Sequence, residues 1–216
     1  MSIREVMIFS RFERFWHWSQ MALIFLLLFT GFNVHGYLQA MDFRQAAQLH
    51  TLAALALILL WVFAIFWHLT TGAWRNYLPT RNGLWSVARY YAWGIFKGEP
   101  HPYRKHLHRK HNPLQALSYL ALKLFLFPAI WISGLLYLLY ELWQPMAPSG
   151  ALGWVALVHV AAALAILAFV IIHVYLLTTG DSFVHHVKPM ITGFDRVELT
   201  PEEEAYLERD EPQRIR

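Results

Sequence analysis

The chain has 216 residues, 57% of them hydrophobic and 16% aromatic, with a formal net charge of +4. It is too apolar for an ordinary water-exposed domain, and the absence of cysteine excludes disulfides, thiolate iron–sulfur ligation and a C-x-x-C-H haem attachment site. The basic residues are spread among segments that flank apolar runs, which speaks against nucleic-acid binding, and twelve histidines remain as the main supply of metal ligands.

Four apolar runs follow one another, at about 15–37, 46–69, 113–140 and 152–177. Each exceeds the roughly 20 residues that a helix needs to cross a hydrocarbon core, and the alternating pattern of membrane strands is absent. The expected fold is an all-α integral membrane four-helix bundle over 1–190, with a long connection at 70–112 and a tail at 191–216. The first run follows Arg4, Arg11 and Arg14. It is too long for a signal-peptide core and lacks a small-residue cleavage site, so it is expected to stay as the first helix.

Lys and Arg set the expected topology. The 70–112 connection carries Arg75, Arg81, Arg89, Lys97, Arg104, Lys105, Arg109 and Lys110, and the tail carries Lys188, Arg196, Arg209, Arg214 and Arg216. The first connection has only Arg44, and 141–150 has no Lys or Arg. Both termini and the 70–112 loop are therefore expected to be cytoplasmic. Trp16, Trp18, Trp67, Trp74, Trp143 and Trp154 fall near helix ends, as an interfacial aromatic belt does.

His159 and His173 lie 14 residues apart in the fourth run. At ~100° and ~1.5 Å per residue they share one helix face, about 21 Å apart along the axis. Ionisable residues inside a membrane span are costly and point to function. With the topology above, His17 lies near the inner end of the first helix and His50 near the outer start of the second. Depths then match as His17 with His173 and His50 with His159. Each pair suits the two axial positions of one non-covalent b haem, which favours electron transfer over oxygen chemistry. Four unrelated buried histidines would have no reason to match in depth and number. Tetrahedral zinc would need ligands converging at one depth. Gly31 and Gly134 offer places where a flat macrocycle approaches the backbone, or where helices pack closely.

The segments Arg14-Phe-Trp-His17-Trp, Gln48-Leu-His50 and Leu157-Val-His159-Val…Ile172-His173-Val-Tyr175 resemble the dihaem cytochrome b family. That family includes bacterial cytochrome b561, the cytochrome b subunit of nickel–iron hydrogenases and the gamma subunit of formate dehydrogenase-N. The resemblance implies two b haems in the pairing given above and residence in the bacterial cytoplasmic (inner) membrane. Thr179-Gly180-Asp181…His185-His186 through Gly193 most resembles the cytochrome b subunits of thiosulfate reductases. Asn112 and Gln115 match an Asn and a Gln that line a menaquinone site in the formate dehydrogenase subunit, so the resemblance implies a quinone (menaquinone or ubiquinone) contact there. The glycine between them in that motif is Leu114 here. An N-cap role explains Asn112 and Pro113 without any ligand, but it leaves Gln115 without a role.

His101, His106, His108 and His111 read as a solvated, headgroup-facing cluster, with His111 nearest the quinone position. His35 and His68 end the first two helices without a depth-matched partner, and His185 and His186 lie beyond the fourth. Residues from Thr200 read as a short capped helix followed by a frayed, solvated tail. The function expected is a membrane-anchoring dihaem subunit that passes electrons between the quinone pool and an outer-face oxidoreductase or multihaem partner. The alternatives are a free-standing cytochrome b561-like quinone oxidoreductase for a small diffusible substrate, and a non-redox transporter.

Overall fold

The computed structural model describes residues 2–103, 110–178 and 182–216. His106 and His108, and the Thr179-Gly180-Asp181 segment of the resemblance, lie outside the described residues. In chain order the elements are β1 (Ser2–Met7), α1 (Arg11–Val34), α2 (Phe43–Thr71), a 3-10 turn (Ala73–Tyr77), α3 (Leu84–Ala92), α4 (Pro113–Ala121), a π-turn (Leu122–Leu126), α5 (Phe127–Leu138), α6 (Tyr140–Trp143), α7 (Ala151–Leu177), α8 (Phe183–Thr192), β2 (Phe194–Leu199) and α9 (Pro201–Asp210). Among the described residues, four stretches are long and apolar enough to cross a membrane: Arg11–Val34, Phe43–Thr71, Pro113–Leu138 and Ala151–Leu177. The fold is an all-α membrane helical bundle, with one small two-stranded sheet that the hydropathy pattern did not predict.

The helix ends follow local chemistry. α1 starts earlier than its apolar run because Ser10 and Glu13 form a capping box: the Ser10 N–H donates to Glu13 Oε2 at 2.8 Å and the Glu13 N–H to Ser10 Oγ at 3.3 Å, satisfying two orphan donors of the first turn. It stops where Asn33 Oδ1 accepts from the N–H groups of Ala40 and Met41, at 2.9 and 3.3 Å. Asp42 opens α2 by accepting from the Gln45 N–H at 3.0 Å. The third span is not one regular helix. Pro128 sits at the start of α5 and cannot donate to the carbonyl one turn back, and the preceding five residues widen into the π-turn.

Two compact units divide the chain, one comprising Met1–His17, Trp67–Leu120 and Val174–Arg216, the other Trp18–Phe66 and Ala121–His173. In the first, β1 pairs antiparallel with β2 in the register Ser2↔Leu199 to Met7↔Phe194. Val6, Val197, Leu199 and Leu207 form its core, so the alternate residues of β2 close onto α9. Thr200 and Glu203 form the capping box of α9. The expected frayed end is corrected here: Val6 bridges to Ile215, the Arg216 N–H donates to the Glu5 carbonyl at 2.9 Å, and Arg214 reaches the Met7 carbonyl. The tail is packed because its apolar partner is β1, about as distant in sequence as the chain allows. The same unit holds a buried ion pair. Glu13, 3% exposed, accepts from Lys110 Nζ at 2.5 Å and from the Tyr77 hydroxyl. Burial pushes the Lys110 ammonium down while Glu13 pulls it back up. Burial and the neighbouring carboxylate push the Tyr77 phenol well above its ordinary value. The triad fastens both ends of the 70–112 connection to the start of α1.

In the second unit small residues, Ala46, Ala53, Ala64 and Ala162, are buried between helices, where they let backbones approach. Trp61 packs edge-on against Phe127 and Trp131, with ring centroids 4.5 and 5.5 Å away. Large apolar side chains such as Leu52, Leu59 and Leu164 point outward and are exposed, as lipid-facing residues are.

Candidate functional site

The second unit carries the best-defined polar constellation. His50 comes from α2 and His159 from α7, and their imidazole centroids are 6.3 Å apart with ring planes at 63°. Two imidazoles brought within 6.3 Å from different helices are a donor set whose chemistry fits a group that takes imidazole nitrogens as ligands.

Each ring is held in the same way. Thr30 Oγ1 of α1 lies 2.9 Å from His50 Nδ1, and Ser133 Oγ of α5 lies 3.0 Å from His159 Nδ1. Both hydroxyls are almost fully buried, Thr30 at 0% and Ser133 at 3% exposure. The next residue is a glycine in both cases. A Cβ added at Gly31 would meet His50 Cε1 at 3.6 Å, and one at Gly134 would meet His159 Cε1 at 3.3 Å. The structure thus gives Gly134 a nearer reason than the approach of a macrocycle, since a Cβ there would crowd the His159 imidazole, while a Cβ at Gly31 would make an ordinary contact with His50. Tyr137 adds an edge-on ring 5.6 Å from His159.

Thr30 and Ser133 were missed by sequence reasoning, because a hydroxyl in an apolar helix is ordinarily satisfied by its own backbone. The signal that finds them is the hydroxyl–glycine dipeptide, Thr30-Gly31 and Ser133-Gly134, at matched depth in the first and third spans.

His173 follows His159 on the same α7 helix, and its ring stacks on Phe169 at 6.0 Å and 8°. His17 lies on α1 and is half-buried. Among the described residues no group of three or more His, Cys, Asp or Glu side chains gathers as a metal-ion site.

Asn112 and Gln115 belong to the first unit and form a reciprocal cap of α4. The Gln115 N–H donates to Asn112 Oδ1 at 2.8 Å, and the Asn112 N–H donates to Gln115 Oε1 at 3.2 Å. This corrects the reading that capping leaves Gln115 without a role. Asn112 Nδ2 donates to the Tyr91 hydroxyl at 3.3 Å. Of the remaining histidines, His68 sits edge-on to Trp16, Trp67 and Tyr77. His111 lies between Tyr77 and Tyr119, 5.4 and 4.7 Å away. His101 is exposed, as expected, with one side of its ring against Tyr90 and Tyr91. His35 lies beside Tyr37. His185 is 3.9 Å from Asp195, and His186 Nδ1 is 3.2 Å from the Ser182 carbonyl.

The family model described as "Prokaryotic cytochrome b561" matches residues 8–193. A curated relative, "Putative cytochrome YdhU" of Escherichia coli (strain K12), is 29% identical over 197 residues, covering 89% of this chain and 75% of its own. No solved structure matches the chain significantly. A family match across all four spans, together with apolar helices that converge their histidines on buried hydroxyls, leads to one conclusion: the chain belongs to the prokaryotic cytochrome b561 family, multi-pass membrane proteins that bind haem b and carry electrons.

Proposed function

We propose that the chain is the dihaem cytochrome b subunit of a membrane oxidoreductase, passing electrons between the quinone pool and an outer-face oxidoreductase or multihaem partner. His50 and His159 are the axial ligands of one b haem, and His17 and His173 those of the other. The observation that carries the reading is the 6.3 Å His50–His159 pair, with both Nδ1 atoms engaged by buried hydroxyls. The second pair rests on helical spacing: on the continuous α7 helix, His173 follows His159 by 14 residues and on the same face. Haem iron supplies the one-electron chemistry, while the protein supplies ligation, a low-dielectric surround and spacing.

Both termini and the 70–112 connection are assigned to the cytoplasm, on the Lys/Arg asymmetry. His50 and His159 then mark the outer haem and His17 and His173 the inner one. The connections between α1 and α2 and between α5 and α7 are short, which favours a separate protein for substrate chemistry at the outer face. Asn112, Gln115 and Tyr91 are the proposed quinone contacts, because they cluster three hydrogen-bonding side chains at the start of the third span.

Reporter fusions test the orientation. Fusions after Gly98 and Arg216 are expected to report cytoplasm, and one within 145–150 the outer side. A reversed pattern overturns the quinone and partner assignments together. Crosslinking of the intact complex tests the partner: contacts are expected on the 35–42 and 139–150 connections. Crosslinks confined to 70–112 contradict the outward path.

A further inference from the structure

We propose that Thr30 and Ser133 are positioning residues for the outer haem. Each fixes one ligand histidine as the Nδ1–H tautomer, turns Nε2 toward the iron and strengthens it as a donor. The inference rests on the His50/His159 ligand assignment above and deepens it.

The direction of each hydrogen bond follows from proton counting. A hydroxyl has one proton to donate. Thr30 Oγ1 donates to the Leu26 carbonyl, 2.7 Å away, with the Leu27 carbonyl at 3.2 Å. Ser133 Oγ donates to the Ala129 carbonyl at 2.6 Å, with the Ile130 carbonyl at 3.2 Å. With that proton committed to the helix, each hydroxyl oxygen faces its histidine as an acceptor, so Nδ1 carries the hydrogen. With Nδ1 protonated, Nε2 holds the free lone pair, and a ligand imidazole needs that lone pair for the metal.

The two clasps are built alike from different helices. Thr30-Gly31 of α1 holds His50 of α2, and Ser133-Gly134 of α5 holds His159 of α7. In each the hydroxyl fixes the proton, and at Gly134 the missing Cβ lets the His159 ring lie close against the helix. Backbone satisfaction alone explains a serine or threonine in an apolar helix. It does not explain two of them, each followed by glycine and each within 3.0 Å of the Nδ1 of a facing imidazole.

An imidazole whose Nδ1–H is accepted is the more basic donor at Nε2 and favours oxidised iron. Removing the hydroxyl is therefore expected to move the outer haem's midpoint potential positive. Each single variant removes one of the two hydroxyl acceptors, so each shift is partial. The two sites act on different ligands, so both push the potential in the same direction.

The test is a spectroelectrochemical titration of the purified protein with Thr30→Val, Ser133→Ala, the double variant, Thr30→Ser and His159→Ala. The outer haem is identified as the one that His159→Ala loses. Thr30→Val and Ser133→Ala are each expected to keep two haems and shift only that haem positive, the double variant to shift it further than either, and Thr30→Ser to restore the wild-type value. An unshifted double variant overturns the inference, as does Thr30→Ser shifting as far as Thr30→Val, since packing would then be the cause. Retention of both haems by His159→Ala overturns the ligand assignment itself, and the inference with it.

Discussion

The two units use polar side chains for opposite purposes. In the unit holding His50 and His159, two buried hydroxyls face the rings: Thr30 and Ser133 each contact a carbonyl of their own helix and the Nδ1 of an imidazole from another. In the unit holding Asn112 and Glu13, polar groups mainly serve the backbone and one another, through the Ser10–Glu13 and Asn112–Gln115 caps and the Glu13–Lys110–Tyr77 triad. Histidines set against hydroxyls that already have a backbone partner are arranged for something besides stability. A buried amide at a helix start has a structural explanation before it has a functional one.

The largest effect expected from breaking this contrast lies in the triad. Both side chains of the Glu13–Lys110 pair are at most 9% exposed, and removing one partner of such a pair costs ~3–5 kcal/mol. Glu13→Ala is expected to lower the thermal unfolding temperature sharply, and Lys110→Met in the same chain to recover part of the loss. An unchanged melting profile for Glu13→Ala means that the pair does not hold the 70–112 connection.

Next come the glycines. Gly134→Ala brings a methyl to 3.3 Å from His159, whereas Gly31→Ala leaves an ordinary 3.6 Å contact with His50. Overpacking costs ~1–3 kcal/mol, so Gly134→Ala is expected to weaken haem retention on heating and Gly31→Ala to be close to neutral. Equal loss in the two variants contradicts the asymmetry.

Gln115→Glu separates capping from ligand binding. It keeps the oxygen that accepts the Asn112 N–H and removes the amide donor. If Gln115 donates to a quinone carbonyl, a lost hydrogen bond of ~0.5–1.5 kcal/mol weakens quinone affinity by up to about tenfold, with both haems retained. Unchanged quinol-driven haem reduction assigns Gln115 to the cap alone.

The smallest effect concerns pH. Burial against Tyr90 and Tyr91 holds the His101 imidazole below its ordinary value, partly opposed by the Tyr103 carbonyl. The unfolded segment then binds more protons than the folded one between the lowered value and the ordinary imidazole value. Stability from this packing is present above that window and is lost as pH falls through it. Amide exchange around Tyr90–Tyr103 is expected to quicken on acidification in the wild type, and to do so less in His101→Phe. Equal quickening in both rules out His101 as the cause.

Much of the fold was legible because a membrane span announces itself through length and apolarity, and the four spans need nothing else. Depth matching brought His50 and His159 together on paper, and the structure brings their rings within 6.3 Å. The rest depended on contacts between residues distant in sequence, or on local chemistry that hydropathy does not weigh. The β1–β2 pairing joins Ser2–Met7 to Phe194–Leu199, and neither strand is distinctive alone. Gln115 revealed its capping role only through the reciprocal bond to Asn112. The π-turn was foreshadowed by Pro128, which an apolarity count ignores. Thr30 and Ser133 look like ordinary helix hydroxyls until a histidine from another helix is set against them.

The most direct test of the central claim is the haem-to-polypeptide ratio, measured by pyridine haemochromogen assay on the purified wild type and on His159→Ala and His173→Ala. The account predicts about two b haems per chain in the wild type and about half that amount in each variant, with different bands lost. A wild-type ratio near one, or variants that retain the full complement, would contradict it.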